Sequence, residues 1–410
     1  MISLNDLIST REGGDYQREA FDSFLEKTHF SFNVPAIHIA GTNGKGSTAT
    51  YIAKIYEKAG FKVGLYTSPA LININEMIVI NGEEISDEQI GKYIKENEKL
   101  YKKYDLSSFE ILTHIALTYF QDCHCDIAII ECGMGGEIDA TNIFIPVLSI
   151  ITSVTLEHTS FLGRSVSEIA RMKAGIIKDE IPVLVGDLEP DALDVISLIA
   201  NEKKSKLHQI SLPGQVTYSD GYDFNYGLFL NMHINSLALY SVDDAVFALD
   251  AISILNSKFP VSIEQARVGL NSVNMPARLE VVRSHPFVIV DGAHNPEAMD
   301  KLAKSIENPA NGRKIHTIFA CFRDKNLNSL LSEIGEVSSE IILTTFDHPR
   351  ARNIDDYFLF AEDYSFIENP VAAINEAMEK YPDDVILITG SLAFAGLVRN
   401  MFKNGVFGNE

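Results

Sequence analysis

A glycine-rich stretch near the start of the chain carries residues suited to binding phosphate. It reads GTNGKGST from Gly41 to Thr48 and follows an apolar run. Small residues let backbone N–H groups approach an anion, and the helix that we predict to begin near Ser47 would direct its positive N-terminal end at the same point. Lys45 adds a positive charge, and the hydroxyl of Ser47 is a ligand type that Mg²⁺ accepts. The stretch therefore predicts a site for nucleotide phosphates.

This stretch departs from the common phosphate-binding loop, which reads G-x-x-x-x-G-K-[ST]. Ile39 stands where that pattern has its first glycine, and Gly46 separates Lys45 from Ser47. An ordinary turn between a strand and a helix would also use glycine for its backbone angles. Such a turn would not need a lysine between two glycines followed by Ser-Thr, so we favour the phosphate site.

Polar residues that could hold a metal ion follow later apolar segments. Glu131 comes directly after the apolar run 127–130, which places its carboxylate at the carboxyl end of a predicted strand, where Mg²⁺ could bind. A helix-capping or buried, hydrogen-bonded acid is the alternative. His158 lies a few residues past the next strand, and a lone histidine is more often structural. Lys173 lies on an apolar helical pattern and, by itself, reads as a surface lysine whose stem packs along the protein.

The composition indicates a globular protein of two domains. The 410 residues exceed the usual length of one domain, and 46% hydrophobic with 22% charged residues is ordinary for a globular chain. The formal net charge of -22 argues against a broad surface for nucleic acid or anionic membrane. The N-terminal segment lacks the apolar centre of a secretory signal, and no apolar run approaches the ~20 residues that span a bilayer. We therefore expect a cytoplasmic protein with no nucleic-acid or membrane partner.

The four cysteines fit the reduced thiols of a cytosolic protein. Cys123, His124 and Cys125 stand together, so a metal site there is an alternative. Zinc-like spacing would need a second ligand pair, which the chain does not offer. We therefore assign no metal to this group.

Short Ile- and Val-rich runs alternate with helical patterns, which is typical of a mostly parallel α/β sheet. The first part of the chain has predicted strands at 34–40, 62–67, 126–131, 147–152 and 181–185. Turn-rich segments over 205–239 predict a small antiparallel element, and a second alternation follows. We predict an α/β protein with an N-terminal, P-loop-type, mostly parallel-sheet ATPase domain at 1–276. A smaller Rossmann-like α/β domain at 277–410 would follow.

Nine motifs, taken in order, resemble the folylpolyglutamate synthase and dihydrofolate synthase family, part of the Mur ligase superfamily. They read HIAGTNGKGST, TSPALININEMIVING, FEILTHIALTYF, ECGMGGEIDATN, LGRSVSEIARMKAGIIK, MPARLE, DGAHNPEAM, DKN and TGSLAFAGLVR. The resemblance implies a ligase that joins L-glutamate to a folate or pteroate carboxylate while ATP becomes ADP and phosphate. It implies small-molecule substrates, Mg²⁺, K⁺ as an optional second cation, and a monomer.

The resemblance also implies roles for residues at matching positions. The nucleotide would be held by Thr42, Asn43, Gly44, Lys45, Gly46, Ser47, Thr48, Arg278 and Asp291. The metal ligands would be Ser47, Glu131, His158 and Lys173, the last as a carbamate. The catalytic residues would be Lys45, Lys173 and His294. The substrate-binding residues would be Ser68, Pro69, Asp324, Lys325 and Ser391.

Several positions depart from the family pattern, mostly where the acceptor and the nucleotide would be recognised. The family's histidine, two arginines, aspartate, asparagine and glycine are replaced by Ala70, Met77, Glu137, Glu157, Asp243 or Asp244, and Ala277. The main interpretation is a glutamate ligase that acts on folates, most of all on reduced folate, with dihydropteroate as a further acceptor. The alternatives are the same chemistry on a non-folate carboxylate and a non-catalytic protein that binds nucleotide or folate.

Overall fold

The computed structural model describes residues 18–157, 159, 161–360 and 363–408. These residues divide into two compact units. The first contains the described residues up to Gly214, with Asn225–Met232 and Asp244–Val273. The second contains Gln215–Phe224, His233–Asp243 and the described residues from Asn274 onward. Each unit is built on its own sheet, and the predicted α/β class is confirmed.

An eight-stranded sheet forms the centre of the first unit. Its strands are β1 (Ala36–Ala40), β2 (Val63–Tyr66), β3 (Ile78–Ile80), β4 (Glu83–Glu84), β5 (Ile127–Glu131), β6 (Leu148–Ile151), β7 (Val183–Val185) and β8 (Leu207–Gln209). Their spatial order is β4-β3-β2-β5-β1-β6-β7-β8. The strands from β2 to β8 in this order pair in parallel, whereas β3 and β4 add an antiparallel edge.

All five strands predicted in this part of the chain form, as β1, β2, β5, β6 and β7. The sequence interpretation missed β3, β4 and β8, which lie at the two edges of the sheet. β4 and β8 are short and partly exposed, so they lack the continuous apolar run that marks the buried central strands. β3 is apolar, but its three residues are fewer than a strand pattern normally needs.

Helices accompany the first eleven strands. They are α1 (Glu19–Thr28), α2 (Lys45–Lys58), α3 (Asp87–Lys103), α4 (Ser108–Asp122), α5 (Val166–Ala174), α6 (Pro190–Glu202), α7 (Tyr240–Leu255) and α8 (Ile263–Asn271). A short 3₁₀ helix covers Ile74–Met77. Several helix starts are fixed by capping boxes, as at Ser165, whose hydroxyl accepts a hydrogen bond from Glu168 N.

A separate three-stranded sheet lies between α6 and α7 in the chain. It consists of β9 (Gly214–Tyr218), β10 (Tyr222–Tyr226) and β11 (Phe229–Ile234), in the order β11-β10-β9. This is the small element that the turn-rich segment predicts.

A six-stranded sheet forms the centre of the second unit. Its strands are β12 (Glu280–Arg283), β13 (Phe287–Val290), β14 (Ile315–Phe319), β15 (Glu340–Leu343), β16 (Ser365–Phe366) and β17 (Val385–Thr389). The order is β12-β13-β17-β14-β15-β16, and all pairs are parallel except β12 with β13. The helices are α9 (Pro296–Ala310), α10 (Leu327–Gly335), α11 (Ile354–Tyr357), α12 (Pro370–Lys380) and α13 (Leu392–Lys403). The 3₁₀ helix Phe358–Phe360 follows α11.

Parallel pairing brings the loops that carry polar residues to one edge of each sheet. In the first unit β1 lies between β5 and β6, with Ile39 beside Glu131 and Ala40 beside Ile151. In the second unit β17 lies between β13 and β14, so the loops after these three strands are neighbours. Within the described residues, no helix is long and apolar enough to cross a membrane.

Candidate functional site

The glycine-rich loop leads directly into α2, which begins at Lys45 rather than near Ser47 as predicted. Gly44 precedes the helix with φ 82°, a left-handed conformation that favours glycine. A Cβ at this position would lie 2.6 Å from Asp244 Oδ1, so a side chain does not fit. Gly44 has no side chain to cap the helix, and the first turn carries no acidic residue. Its N–H groups therefore suit an anion.

The residues that follow β6 hold this loop in place. Thr152 Oγ1 donates a hydrogen bond to Asn43 O at 2.6 Å, and Asn43 N donates to Ser153 Oγ at 2.8 Å. A Cβ on Gly41 would lie 1.9 Å from Thr152 Oγ1, so the loop passes against the end of β6 only because this residue is glycine. The sequence interpretation missed Thr152 and Ser153. The sequence feature that could have indicated them is a pair of hydroxyl residues directly after β6, which pairs with β1.

Lys45 extends back over the loop toward Glu131. Its Nζ donates to Gly41 O at 3.1 Å and to Thr42 O at 3.2 Å. The same Nζ lies 3.9 Å from Glu131 Oε1. Two positions more than 80 residues apart in the sequence thus place opposite charges at the end of β1.

Glu131 is buried at the carboxyl end of β5, with 4% of its surface exposed. Its Oε2 accepts a hydrogen bond from Ser68 N at 2.9 Å. Ser68 precedes Pro69 through a cis peptide bond. The structure therefore brings four predicted residues, Lys45, Glu131, Ser68 and Pro69, to one place.

Ser47 and Thr48 lie on the first turn of α2, and both are buried. Thr48 Oγ1 donates to Asp244 Oδ1 at 3.4 Å. Asp244 belongs to the segment where the family pattern has asparagine. A second carboxylate therefore lies beside the loop, which the loop's own sequence could not reveal.

Lys173 is buried rather than exposed, so its interpretation as a surface lysine is wrong: only 2% of its surface is accessible. It lies one turn after Ile169 on the face of α5 that packs inward. The end of α5 is joined to the loop after β5, because Glu137 N donates to Met172 O at 2.8 Å. A Cβ at Gly136 would lie 2.8 Å from Lys173 O, which shows how closely the two segments approach.

His158, the remaining predicted metal ligand, lies outside the described residues. Among those that are described, no three His, Cys, Asp or Glu side chains converge on one point where a metal ion could bind. The predicted Mg²⁺ site draws on other ligand types as well, namely the Ser47 hydroxyl and a carbamate on Lys173.

A buried polar network that the sequence interpretation missed lies on β1 and in the loop after β5. His38 Nε2 lies 2.8 Å from Thr141 Oγ1 and 3.0 Å from Cys132 Sγ. Thr141 Oγ1 donates to Asp139 Oδ1 at 2.5 Å. Burial, with a smaller effect of the Lys178 charge, lowers the pKa of His38 to about 3, and burial raises the pKa of Asp139. The sequence feature that could have indicated His38 is its position as a polar residue inside the otherwise apolar strand β1.

Asp291, in the second unit, is buried at the end of β13. Its Oδ2 accepts from Tyr240 Oη at 2.7 Å and from Leu279 N at 2.9 Å, and its Oδ1 accepts from Ala293 N at 2.8 Å. Burial raises the pKa of Asp291, and the positive charge of Arg278 opposes this effect. The carboxylate thus fixes the two segments that carry Arg278 and His294.

Arg278 and His294 both contact the loop after β13. A Cβ at Gly292 would lie 2.6 Å from Arg278 Nη1, and His294 Nδ1 donates to Gly292 O at 2.9 Å. That hydrogen bond places the imidazole proton on Nδ1 when the ring is neutral. Ala277, which stands where the family has glycine, has φ 54° and retains the left-handed backbone.

Asp324 and Lys325 lie in the loop after β14. Arg350 Nη2 donates to Asp324 Oδ1 at 2.9 Å. Desolvation acts to raise the pKa of Asp324, but the hydrogen bond and charge of Arg350 outweigh it, so the pKa is lowered. Lys325 O accepts from Arg352 Nη2 at 2.7 Å, which ties the same loop to the segment after β15.

Ser391 stands at the N-cap position of α13, directly after β17, with 1% of its surface exposed. Its hydroxyl caps nothing, and it is one of the buried groups without a hydrogen-bond partner among the described residues. Buried hydroxyls are normally satisfied, and Thr389 Oγ1 at the end of β17 is a second buried hydroxyl without a partner among the described residues.

Two family models match the chain. The Mur ligase middle domain matches residues 39–226, and the Mur ligase glutamate ligase domain matches residues 277–392. The chain is 32% identical to the dihydrofolate synthase/folylpolyglutamate synthase of Bacillus subtilis over 397 residues, covering 92% of each chain. It is also 32% identical to the folylpolyglutamate synthase of Lacticaseibacillus casei, covering 90% of each chain.

Solved structures agree with these matches. Mycobacterium tuberculosis folylpolyglutamate synthase, complexed with ADP and AMPPCP, superimposes with a TM-score of 0.88 and 27% identity, covering 94% of this chain and 95% of that one. A folylpolyglutamate synthase complex with AMPPCP and folate gives a TM-score of 0.85 and 27% identity, covering 96% of each. The chain therefore belongs to the dihydrofolate synthase/folylpolyglutamate synthase family of Mur ligases.

Proposed function

We propose that this protein is an ATP-dependent ligase that joins L-glutamate to a folate, with tetrahydrofolate as the main acceptor and dihydropteroate as a further one. The observation that carries the proposal is the convergence of Lys45, Glu131 and the N-terminus of α2 at the end of β1, in a member of this family. A cation and aligned N–H groups suit the phosphates of a nucleoside triphosphate, and a buried carboxylate suits the metal ion that accompanies them.

The reaction requires activation, because a carboxylate is a poor electrophile toward an amine. Transfer of the γ-phosphoryl group from ATP to the acceptor carboxylate gives an acyl phosphate and ADP. The glutamate amine then attacks the acyl carbon, phosphate leaves, and the nitrogen loses a proton as the amide forms. Lys45 and the N–H groups of α2 would stabilise the transferring phosphoryl group, and positioning supplies much of the acceleration.

The residues beside the loop fit Mg²⁺. Glu131 offers a carboxylate that is buried next to Lys45, and Ser47 offers a hydroxyl on the first turn of α2. Hard oxygen ligands of this kind suit Mg²⁺, which would neutralise negative charge on the β- and γ-phosphates. K⁺ would be an optional second cation.

Lys173 would complete the metal ligands as a carbamate. Carbamoylation joins the amine to CO₂ with loss of a proton and converts a cationic side chain into a carboxylate-like anion. The placement of Lys173 supports this role, because it is buried at the end of α5, which is joined to the loop that follows Glu131. His158 stays in the proposed ligand set.

The second unit would bind the incoming glutamate and help to bind ATP. The unsatisfied Ser391 hydroxyl supports a polar ligand at the start of α13, and Asp324 with Lys325 lies in the loop after the neighbouring strand β14. Arg278 and Asp291 would contact the nucleotide, and His294 would act at the transfer site. The functional domains would be 1–276 and 277–410. The enzyme would be monomeric and cytoplasmic.

The test is direct product formation. The purified protein is incubated with ATP, Mg²⁺ and L-glutamate, with dihydropteroate, dihydrofolate and tetrahydrofolate offered separately, and products are followed by mass spectrometry. We expect one glutamyl unit to be added to tetrahydrofolate. Lys45→Ala should lower turnover by ~10²–10³ because a charge that stabilises the phosphoryl group is lost. Lys58→Ala, at the exposed far end of α2, should leave turnover unchanged.

The outcomes separate the three candidate functions. A glutamyl gain on tetrahydrofolate alone supports polyglutamylation, and a gain on dihydropteroate adds dihydrofolate synthesis. ATP hydrolysis without any folate product would favour the same chemistry on another carboxylate. If no acceptor stimulates hydrolysis and nucleotide still binds, the protein is a binder and the ligase proposal is wrong.

A further inference from the structure

A cavity of about 480 Å³ lies beside α5 in the first unit. Its walls include the apolar side chains of Phe161, Leu162 and Met172 and the arginines Arg164 and Arg171. Phe161 is 43% exposed, so a ligand in the cavity could contact its side chain. The cavity therefore combines an accessible apolar wall with two cations.

The wall of the cavity also includes the acid Glu168. Glu168, the acid nearest in sequence, uses its Oε2 to accept from Arg164 N at 2.5 Å and from Ser165 N at 3.2 Å, as the cap of α5. In the described part of the chain, the guanidinium groups of Arg164 and Arg171 form no ion pair or hydrogen bond. Both arginines are exposed. In a chain with a net charge of -22, two such cations at one cavity form a local exception.

The cavity adjoins the segment that leads to the proposed reaction site. Leu162 Cδ2 would lie 2.8 Å from a Cβ at Gly135, so the cavity wall contacts the loop after β5, four residues from Glu131. On the other side, Met172 is bonded through its carbonyl to Glu137 N and is followed directly by Lys173. A ligand in this cavity would therefore lie along the segments that carry the proposed metal ligands.

We infer that this cavity binds the glutamyl chain of the acceptor, as a subsite for its carboxylates. This inference rests on the proposed function. Each γ-linked glutamyl unit adds one carboxylate and two methylene groups. A guanidinium fork binds a carboxylate through two parallel hydrogen bonds, and apolar side chains cover methylene groups. Arg164 and Arg171 thus favour acceptors that already carry more than one glutamate.

The test uses binding without ATP. The probes are p-aminobenzoyl-glutamate and its γ-linked triglutamate form, titrated calorimetrically at low salt into the full chain, into Arg164→Gln/Arg171→Gln, and into a control. Lys95→Gln/Lys99→Gln removes two exposed cations from α3 and is the control for net charge. We expect the wild type to bind the triglutamate probe more tightly than the monoglutamate. The double variant should lose about tenfold in triglutamate affinity, as expected for lost charge-assisted hydrogen bonds, and the control should lose little.

Two results would overturn the inference: equal binding of the triglutamate probe by the wild type and the arginine double variant, or an equal loss of affinity in Lys95→Gln/Lys99→Gln. Both arginines are exposed, and thermal unfolding of the double variant checks that the fold is retained. The proposed function fails separately, because a protein without ligase activity whose probe binding depends on the two arginines would retain the subsite.

Discussion

Asp244 Oδ1 accepts a hydrogen bond from Thr48 Oγ1 at 3.4 Å, which places a buried carboxylate beside the glycine-rich loop. Gly44 also approaches this oxygen, since a Cβ there would lie 2.6 Å from it. A negative charge at this point repels the phosphates of a bound nucleotide, and burial reduces screening by salt. Nucleotide phosphates that bind at this loop would therefore be repelled by the Asp244 carboxylate.

Asp244→Asn should strengthen nucleotide binding. An amide oxygen can still accept from Thr48, but the charge is removed, so we expect the KM for ATP to fall about threefold or more, according to the strength of charge interactions near a protein surface. Steady-state kinetics at two salt concentrations measure the change. Asp243→Asn removes the same charge from the adjacent, exposed side chain and should have a smaller effect. An unchanged KM in Asp244→Asn would show that its charge is already neutralised.

Lys173→Ala should lose most activity, because the proposed carbamate ligand is removed. We expect turnover to fall by about 10²-fold, the range seen when groups that support a metal site are removed. Added formate or acetate should restore part of it by occupying the space with a carboxylate. The matched control is Lys178→Ala, in the same segment, where the amine only donates to Gly175 O at 3.4 Å. Full activity in Lys173→Ala would contradict the proposed role.

Ser391→Ala should weaken glutamate binding without destabilising the protein. The Ser391 hydroxyl has no partner in the described structure, so its removal eliminates an unsatisfied buried group and should leave the free energy of unfolding unchanged or raise it by up to about 1 kcal/mol. The KM for glutamate should rise. Denaturant unfolding and glutamate titrations measure the two effects separately.

Ser305→Ala provides the contrast for that experiment. Ser305 is equally buried, but its hydroxyl accepts from Leu239 N at 3.0 Å and donates to Lys301 O at 2.7 Å. Its loss leaves a buried backbone group unpaired and should destabilise the protein by about 1–3 kcal/mol, with no direct effect on glutamate. If Ser391→Ala behaves like Ser305→Ala, then Ser391 is structural.

His38 should make the stability depend on pH in the acid range. The pKa of this imidazole is lowered from 6.5 to about 3 by burial, so below pH 6.5 the unfolded chain binds a proton that the folded chain does not. Its contribution to the free energy of unfolding is therefore complete above pH 6.5 and falls by about 1.4 kcal/mol per pH unit as the pH is lowered toward 3.

The measurement compares wild type with His38→Gln by denaturant unfolding between pH 7 and pH 4.5. The substitution weakens the contacts with Thr141 and Cys132, so a constant loss of stability is expected at every pH. The slope against pH is the test, because other titrating groups are common to both proteins. Parallel pH profiles would mean that folding does not lower the pKa of His38.

Much of the fold follows from local patterns. Short, mostly apolar runs predict β1, β5 and β6, although β1 contains His38 and β6 contains Ser149. Their parallel pairing places Lys45 near Glu131, because all three strands end at the same edge. The glycine-rich stretch likewise predicts a loop that leads into a helix. The edge strand β4 and its neighbour β3 escaped prediction because they contain only two and three residues.

Tertiary structure decided which side chains are buried and what they face. Lys173 looks like a surface lysine on a helical pattern, yet α5 packs with that face inward, and burial changes its chemistry. Asp244 reaches Gly44 across 200 positions of sequence, and Thr152 meets Gly41 only because β6 pairs with β1. The sequence by itself determined the elements and the charges of the loop, since periodicity and residue chemistry are local. The environment of each charge was decided by packing between distant segments, which no local pattern encodes.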